Sequence, residues 1–99
     1  MLGEKLRELR EAKGLVQRQV AAELEVDTAY ISKMESNEKP VSRQHLKKLS
    51  VLLGIAEDEL LTLWLADKLY DVAKDEAVAI KAMEVAHDEL LNKVKRKKK

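Results

Sequence analysis

The sequence predicts an all-α protein, on three observations. Apolar residues recur at intervals of three and four along most of the chain, the period of a helix with one buried face. Gly14, Pro40 and Gly54 punctuate these runs where helices must stop. There is no Phe, so the core must be assembled from thin layers of Leu, Val, Ile and Ala. A chain of 99 residues suits one domain with a single core, extended by an interface with a second chain. The absence of Cys excludes disulfides and thiolate metal sites and fits a reducing compartment. The start, MLGEKLREL, has no apolar run of signal-peptide length, and nothing later is long enough to span a membrane. The expectation is a soluble cytoplasmic protein without membrane contact.

The first helix is expected over about 2–13, with Leu2, Leu6 and Leu9 on one face, Glu4, Arg7, Glu8 and Glu11 on the solvated sides, and Gly14 ending it. The stretch 17–35, QRQVAAELEVDTAYISKME, breaks into two short amphipathic segments. Val20, Ala21 and Leu24 mark the buried face of one, Ile31 and Met34 that of the other. Only Glu25, Val26 and Asp27 join them, and Asp27 is suited to cap the second by accepting a backbone N–H. Helices joined so tightly cross steeply and need a small residue at the crossing, which Ala21 supplies. This is the pattern of a helix-turn-helix, whose second helix enters the major groove of DNA. Val16 has no side-chain oxygen to cap the helix beginning at Gln17, so free N–H donors there await a phosphate oxygen.

After a polar turn at 36–39, Pro40 forces Lys39 out of helical geometry. A fourth helix is expected from about Ser42, with Leu46, Leu49, Leu52 and Leu53 inward, stopped by Gly54. A fifth opens with Glu57, Asp58 and Glu59, suited to the positive end of the helix dipole. Its following turns are apolar on nearly every side, through Leu60, Leu61, Leu63, Trp64, Leu65, Leu69, Tyr70 and Val72. A surface helix needs only one apolar stripe, so a second subunit is expected to cover the rest. A break at 74–76, with Asp75 as N-cap, precedes a last helix to about Lys93. There Ile80, Met83, His87, Leu90 and Val94 keep three-four spacing beside Ala79, Ala82 and Ala86. The final residues, 95–99, read as a frayed basic tail, either touching DNA nonspecifically or simply solvated. The expected organisation is a DNA-binding core at 1–56, C-terminal helices at 57–94 that pack on it and form the dimer interface, and that tail.

The stretch from Leu9 to Ile55 resembles the helix-turn-helix family of phage lambda, Cro and related repressors, the XRE-like regulators. The residues that carry the resemblance are Gln17, Ala21, Val26, Ile31-Ser32, Met34-Glu35 and Pro40. Two positions depart from it: Glu25 and Asn37 stand where the family favours Gly, so both are expected at positive φ, a cost of roughly 1 kcal/mol for Glu25. The resemblance implies a lambda-repressor-like five-helix DNA-binding domain, here with an additional C-terminal helix. It also implies an internal ion pair between Arg10 and Glu35, where the residues alone leave a phosphate contact open for Arg10. The chain is similar, too, to small controller proteins of restriction-modification systems.

Net charge is +1, but it is segregated. Residues 1–54 carry ten basic and eight acidic side chains, 55–92 carry three and ten, and 93–99 six and none. DNA attraction must therefore come from local patches, with the acidic segment turned away. Base contacts are expected from Thr28, Ala29, Ser32 and Lys33, at the leading end and exposed face of the third helix. Backbone contacts are expected from Gln17, Arg18, Tyr30, Asn37, Lys39 and Arg43, Tyr30 being equally suited to cap the core. The expected dimer interface is Leu61, Trp64, Leu65, Leu69, Ile80, Met83 and Leu90. An enzyme is not expected: His45 and His87 lie on different helices with no nucleophile nearby, and there is no glycine-rich phosphate loop. The Glu-x-x-His at Glu84 and His87 lacks the further carboxylates of a di-iron bundle, so no metal and no cofactor are expected. The reading is a homodimeric transcription regulator, a repressor or autoregulator of an inverted-repeat operator. The alternative is an antitoxin or adaptor whose C-terminal helices bind a different protein.

Overall fold

Apolar stripes at helical spacing divide the chain into six α-helices among residues 1–97, which the computed structural model describes. They are α1 (Leu2–Ala12), α2 (Gln17–Leu24), α3 (Thr28–Glu35), α4 (Leu46–Leu53), α5 (Glu57–Ala73) and α6 (Ala79–Lys97), with a short 3-10 turn at Arg43–His45 leading into α4. The fourth helix therefore starts later than its sequence suggests. Ser42 takes an extended conformation without a side-chain cap, and the chain tightens through the 3-10 turn before the α-helical ladder begins.

Two compact units are present, Met1–Lys68 and a second from Leu69 onward. In the first, α1 packs on α3 and α4, and α2 packs on the same two helices. The core between them holds Leu2, Leu6, Val20, Ala21, Leu24, Ile31, Met34, Leu46, Leu49 and Leu53. Two residues from outside that quartet complete it: Val41, from the loop before the 3-10 turn, and Leu60, from the first turns of α5 and fully buried. Burying such an aliphatic side chain contributes about 1.5–3 kcal/mol, and Leu60, with the partly buried Leu61, Leu63 and Trp64 beside it, fastens the first half of α5 to the core. The division into compact units thus falls inside α5, between Lys68 and Leu69.

At its N-terminal end α1 approaches the C-terminal end of α3 so closely that only glycine fits. A Cβ on Gly3 would lie 2.5 Å from the carbonyl oxygen of Met34 and 2.8 Å from that of Glu35. Backbone atoms at those distances cannot move aside as a side-chain tip can. Gly3→Ala is accordingly expected to cost about 1–3 kcal/mol, read from the shift of a urea or thermal transition. An unshifted transition would mean that the helices separate at no cost. Two side chains complete this end of α1. The Asn37 Oδ1 accepts the Gly3 N–H at 3.1 Å, and the Asp67 carboxylate of α5 accepts the Leu2 N–H at 2.9 Å. Both satisfy donors that a helix start leaves free, and Asp67 adds a negative charge at the positive end of the dipole.

In the second unit the chain leaves α5 at Ala73, and Lys74 N–H closes the last turn on the Tyr70 carbonyl at 2.8 Å. Asp75 does not cap the next helix. The intervening turn runs longer than expected, Ala79 N–H bonds the Glu76 carbonyl, and the helical ladder starts with Ala82 N–H on Val78. α6 then continues through Lys97, past the expected end at Lys93. Residues 95–97 thus extend the helix instead of fraying, with the exposed Lys95 and Arg96 toward the negative end of its dipole. Lys98 and Lys99 lie outside the described residues. Along α6, Ile80 is 73% exposed and Leu90 62%, with Met83 half-buried.

Candidate nucleic-acid interface

Between α2 and α3 the chain reverses in three residues, and the turn chemistry is visible atom by atom. Glu25 adopts the left-handed conformation at φ 57°, and the N–H groups of Glu25 and Val26 return to the carbonyls of Ala22 and Ala21 at 3.2 and 3.0 Å. Such paired bonds satisfy the last carbonyls of a helix and aim the chain sharply away from its axis. Asp27 then caps α3, its Oδ1 accepting the Tyr30 N–H at 2.9 Å. Ala21, 3% exposed, lies at the crossing where a larger side chain would separate the helices.

This turn fixes which face of α3 is free. Ile31, Met34 and Glu35 are buried, whereas Thr28, Ala29, Ser32 and Lys33 are exposed. Thr28 and Ser32 share one line along the helix and Ala29 and Lys33 the next, so the four form one surface two turns long. Ala29, Tyr30 and Lys33 also border a shallow concavity with Val26, Asp27 and Lys39. Lys39 is brought there by the end of α3, where Asn37 at φ 64° turns the chain and the N–H groups of Glu38 and Lys39 both reach the Lys33 carbonyl, at 2.9 and 3.2 Å. Tyr30 packs against the core and meets His45 edge-on, with ring centroids 6.0 Å apart.

The orientation of this surface depends on a polar hub at the far end of α3. The Arg10 guanidinium holds Glu35 in a fork, Nε to Oε2 at 2.7 Å and Nη2 to Oε1 at 3.1 Å, while Nη1 donates to the Leu15 carbonyl at 2.8 Å. Gln17 Nε2 donates to the same Glu35 Oε1 at 3.0 Å. One carboxylate thereby ties α1 and α2 to α3, and Arg10 adds the α1–α2 connection through the Leu15 carbonyl. The pair is largely withdrawn from solvent, with 12% and 6% of the two side chains exposed. Its hydrogen bonds, against the cost of burial and with the help of Glu35's charge, hold Arg10 above its ordinary pKa.

Of the residues expected on the DNA backbone, Arg18, Lys39 and Arg43 are exposed cations. The amides of Gln17 and Asn37 are engaged elsewhere. Gln17 turns inward to Glu35, and Asn37 both accepts from Gly3 N–H and donates to the Glu4 carboxylate, because α1 needs a partner at its start. What α2 presents outward at its N-terminus is backbone. Gln19 Oε1 takes the Val16 N–H at 2.8 Å, and the N–H groups of Gln17 and Arg18 have no acceptor among the described residues. Trp64 and Leu61, expected at a dimer interface, pack against the chain's own core, and the Trp64 indole N–H donates to the Val41 carbonyl at 2.7 Å. Leu65 and Leu69 remain about half exposed, at 50% and 49%, and Val72 is 81% exposed.

Comparison with known proteins agrees with this geometry. The helix-turn-helix family model matches residues 6–60. The chain belongs to the helix-turn-helix family of DNA-binding transcription regulators, of the XRE-like type. This regulator is 39% identical over 61 residues to the control protein C.MunI of Mycoplasma sp., a stretch covering 61% of this chain and 82% of that one. Its fold is similar to that in a solved complex of SinR protein with SinI protein, with 27% identity, a TM-score of 0.55, and 99% and 98% of the two chains covered. No helix among the described residues of the regulator is long and apolar enough to cross a membrane.

Proposed function

We propose that two copies of this regulator bind an inverted-repeat operator as a homodimeric repressor or autoregulator in the cytoplasm, with no enzymatic step. The observation that carries the reading is the exposed face of α3, where Thr28, Ala29, Ser32 and Lys33 stand free on a helix whose other face is locked into the core. Those side-chain types suit base edges: a Lys ammonium donates to guanine O6 or N7, a hydroxyl to several acceptors, and a methyl group packs on that of thymine. Arg18, Lys39, Arg43 and the free N–H groups at the start of α2 supply backbone contacts that carry no sequence information. Similarity to a control protein supports regulation in a restriction-modification setting.

One half-site spans too few base pairs for selective binding, so two copies must be held at a fixed spacing. The apolar residues left exposed on α5 and on α6 supply a surface for that second copy. The alternative, a different protein bound by the C-terminal helices, draws on the similarity to a structure that contains a protein partner. A light-scattering mass for the purified chain separates them, since the homodimer needs no other component.

Lys33→Ala tests the base-reading assignment. Binding to the operator is expected to weaken by about 1–3 kcal/mol, with random duplex affinity nearly unchanged. Equal losses on both would move Lys33 to the phosphate-contacting group.

A further inference from the structure

Residues 40–42 have no regular structure of their own and Arg43 opens the 3-10 turn, yet Arg43 is among the cations that face DNA in the proposed reading. Its place is set from two sides. Val41, two positions earlier, is buried in the core, and its carbonyl accepts the indole N–H of Trp64 at 2.7 Å. The Arg43 guanidinium lies over the Trp64 ring, 5.6 Å from its centroid. Lys68, one turn further along α5, brings its ammonium to 4.5 Å from the same centroid. A single side chain of α5 thus anchors the loop backbone through its N–H and holds the loop's cation on its ring. A guanidinium held over an aromatic face by cation–π attraction spends none of its N–H hydrogen bonds on that contact, which leaves them for phosphate oxygens.

We infer that Trp64 is a positioning residue for Arg43, fixing the loop and guanidinium in the register that meets the DNA backbone. The inference rests on the DNA-binding reading above and adds a residue that touches no DNA. It also gives a reason for an indole, and not another Leu, at this point of α5: the indole offers a donor for the Val41 carbonyl and a π-face for Arg43, and a Leu offers neither.

The phosphate contribution to binding is independent of sequence and is read from the slope of log affinity against log salt, about 0.9 per phosphate contact. The test measures that slope on a random-sequence duplex for the full chain and for Arg43→Ala, Trp64→Phe, Trp64→Leu and the Arg43→Ala/Trp64→Leu double variant, each checked for a cooperative melt. Arg43→Ala is expected to reduce the slope by about 0.9 per bound copy. Trp64→Leu should reduce it comparably although Arg43 is still present, and the double variant should fall no further than Arg43→Ala. Trp64→Phe, which keeps a ring but has no N–H for Val41, should lie between Trp64→Leu and the unaltered chain, and it decides the matter if Trp64→Leu does not fold. A folded Trp64→Phe with an unaltered slope overturns the inference, as does a double variant whose slope drops below that of Arg43→Ala. If Arg43→Ala itself leaves the slope unchanged, the Arg43 contact in the functional reading is what fails, and the role of Trp64 falls with it.

Discussion

Glu35→Ala is expected to destabilise the first unit by about 3–5 kcal/mol, a large share of the stability of a domain this size. The loss comes from what is left behind. Arg10 keeps its charge at any accessible pH, and without Glu35 it is a nearly buried cation with only the Leu15 carbonyl to receive it. Gln17 loses its acceptor in the same step. Arg10→Ala should be comparably damaging, because it strands a buried carboxylate. The double variant should cost clearly less than the sum of the two, since neither charge is then alone. Urea denaturation of the four proteins gives the cycle directly. A Glu35→Ala transition coincident with that of the unaltered chain would show that the fork contributes nothing to holding α1 and α2 against α3.

Leu65→Glu and Leu69→Glu are expected to abolish pairing of the chains while leaving the first unit folded. Both side chains are about half exposed in the single chain, so a carboxylate there stays in water at little cost. In a dimer each would be buried twice, once per copy, without a partner, a penalty of several kcal/mol per ion. Binding to a two-half-site operator should drop by orders of magnitude, while weak, salt-sensitive binding to random duplex persists. Sedimentation of the variants beside the unaltered chain checks the first part and titration of operator DNA the second. Variants that remain dimeric would move the interface to α6 alone or elsewhere.

The parts of this structure that were legible in the sequence are those whose causes are local. The Asp27 cap, the stop at Gly54 and the buried stripe of each short helix all follow from residues within a turn or two of one another, while the positive φ of Glu25 and Asn37 is implied by the family resemblance, which favours Gly at both places. The free face of α3 follows from the same periodicity. What was not legible depends on approaches between distant segments. Gly3 is a weak helix former in any sequence reading, and only the nearness of the Met34 and Glu35 carbonyls gives it a reason. Gln17 and Asn37 have side chains that suit phosphates equally well, but partners 18 and 34 positions away claim them first. Trp64 reads as one more apolar residue on a helix with too many, until its N–H finds Val41, 23 positions earlier. Asp75 shows the opposite error, a good capping residue left unused because the chain needs a longer turn before α6.

The central claim is that two copies of α3, held together by the C-terminal helices, read two halves of one site. Selection of duplexes from a random-sequence pool by the chain of residues 1–99, followed by sequencing and by weighing the complexes, tests it in one measurement. The expected result is an inverted repeat with half-site centres about 10–10.5 base pairs apart, or a multiple of that spacing, bound by two chains. Selected duplexes that share only a single short half-site, each carrying one chain with undiminished affinity, would contradict it.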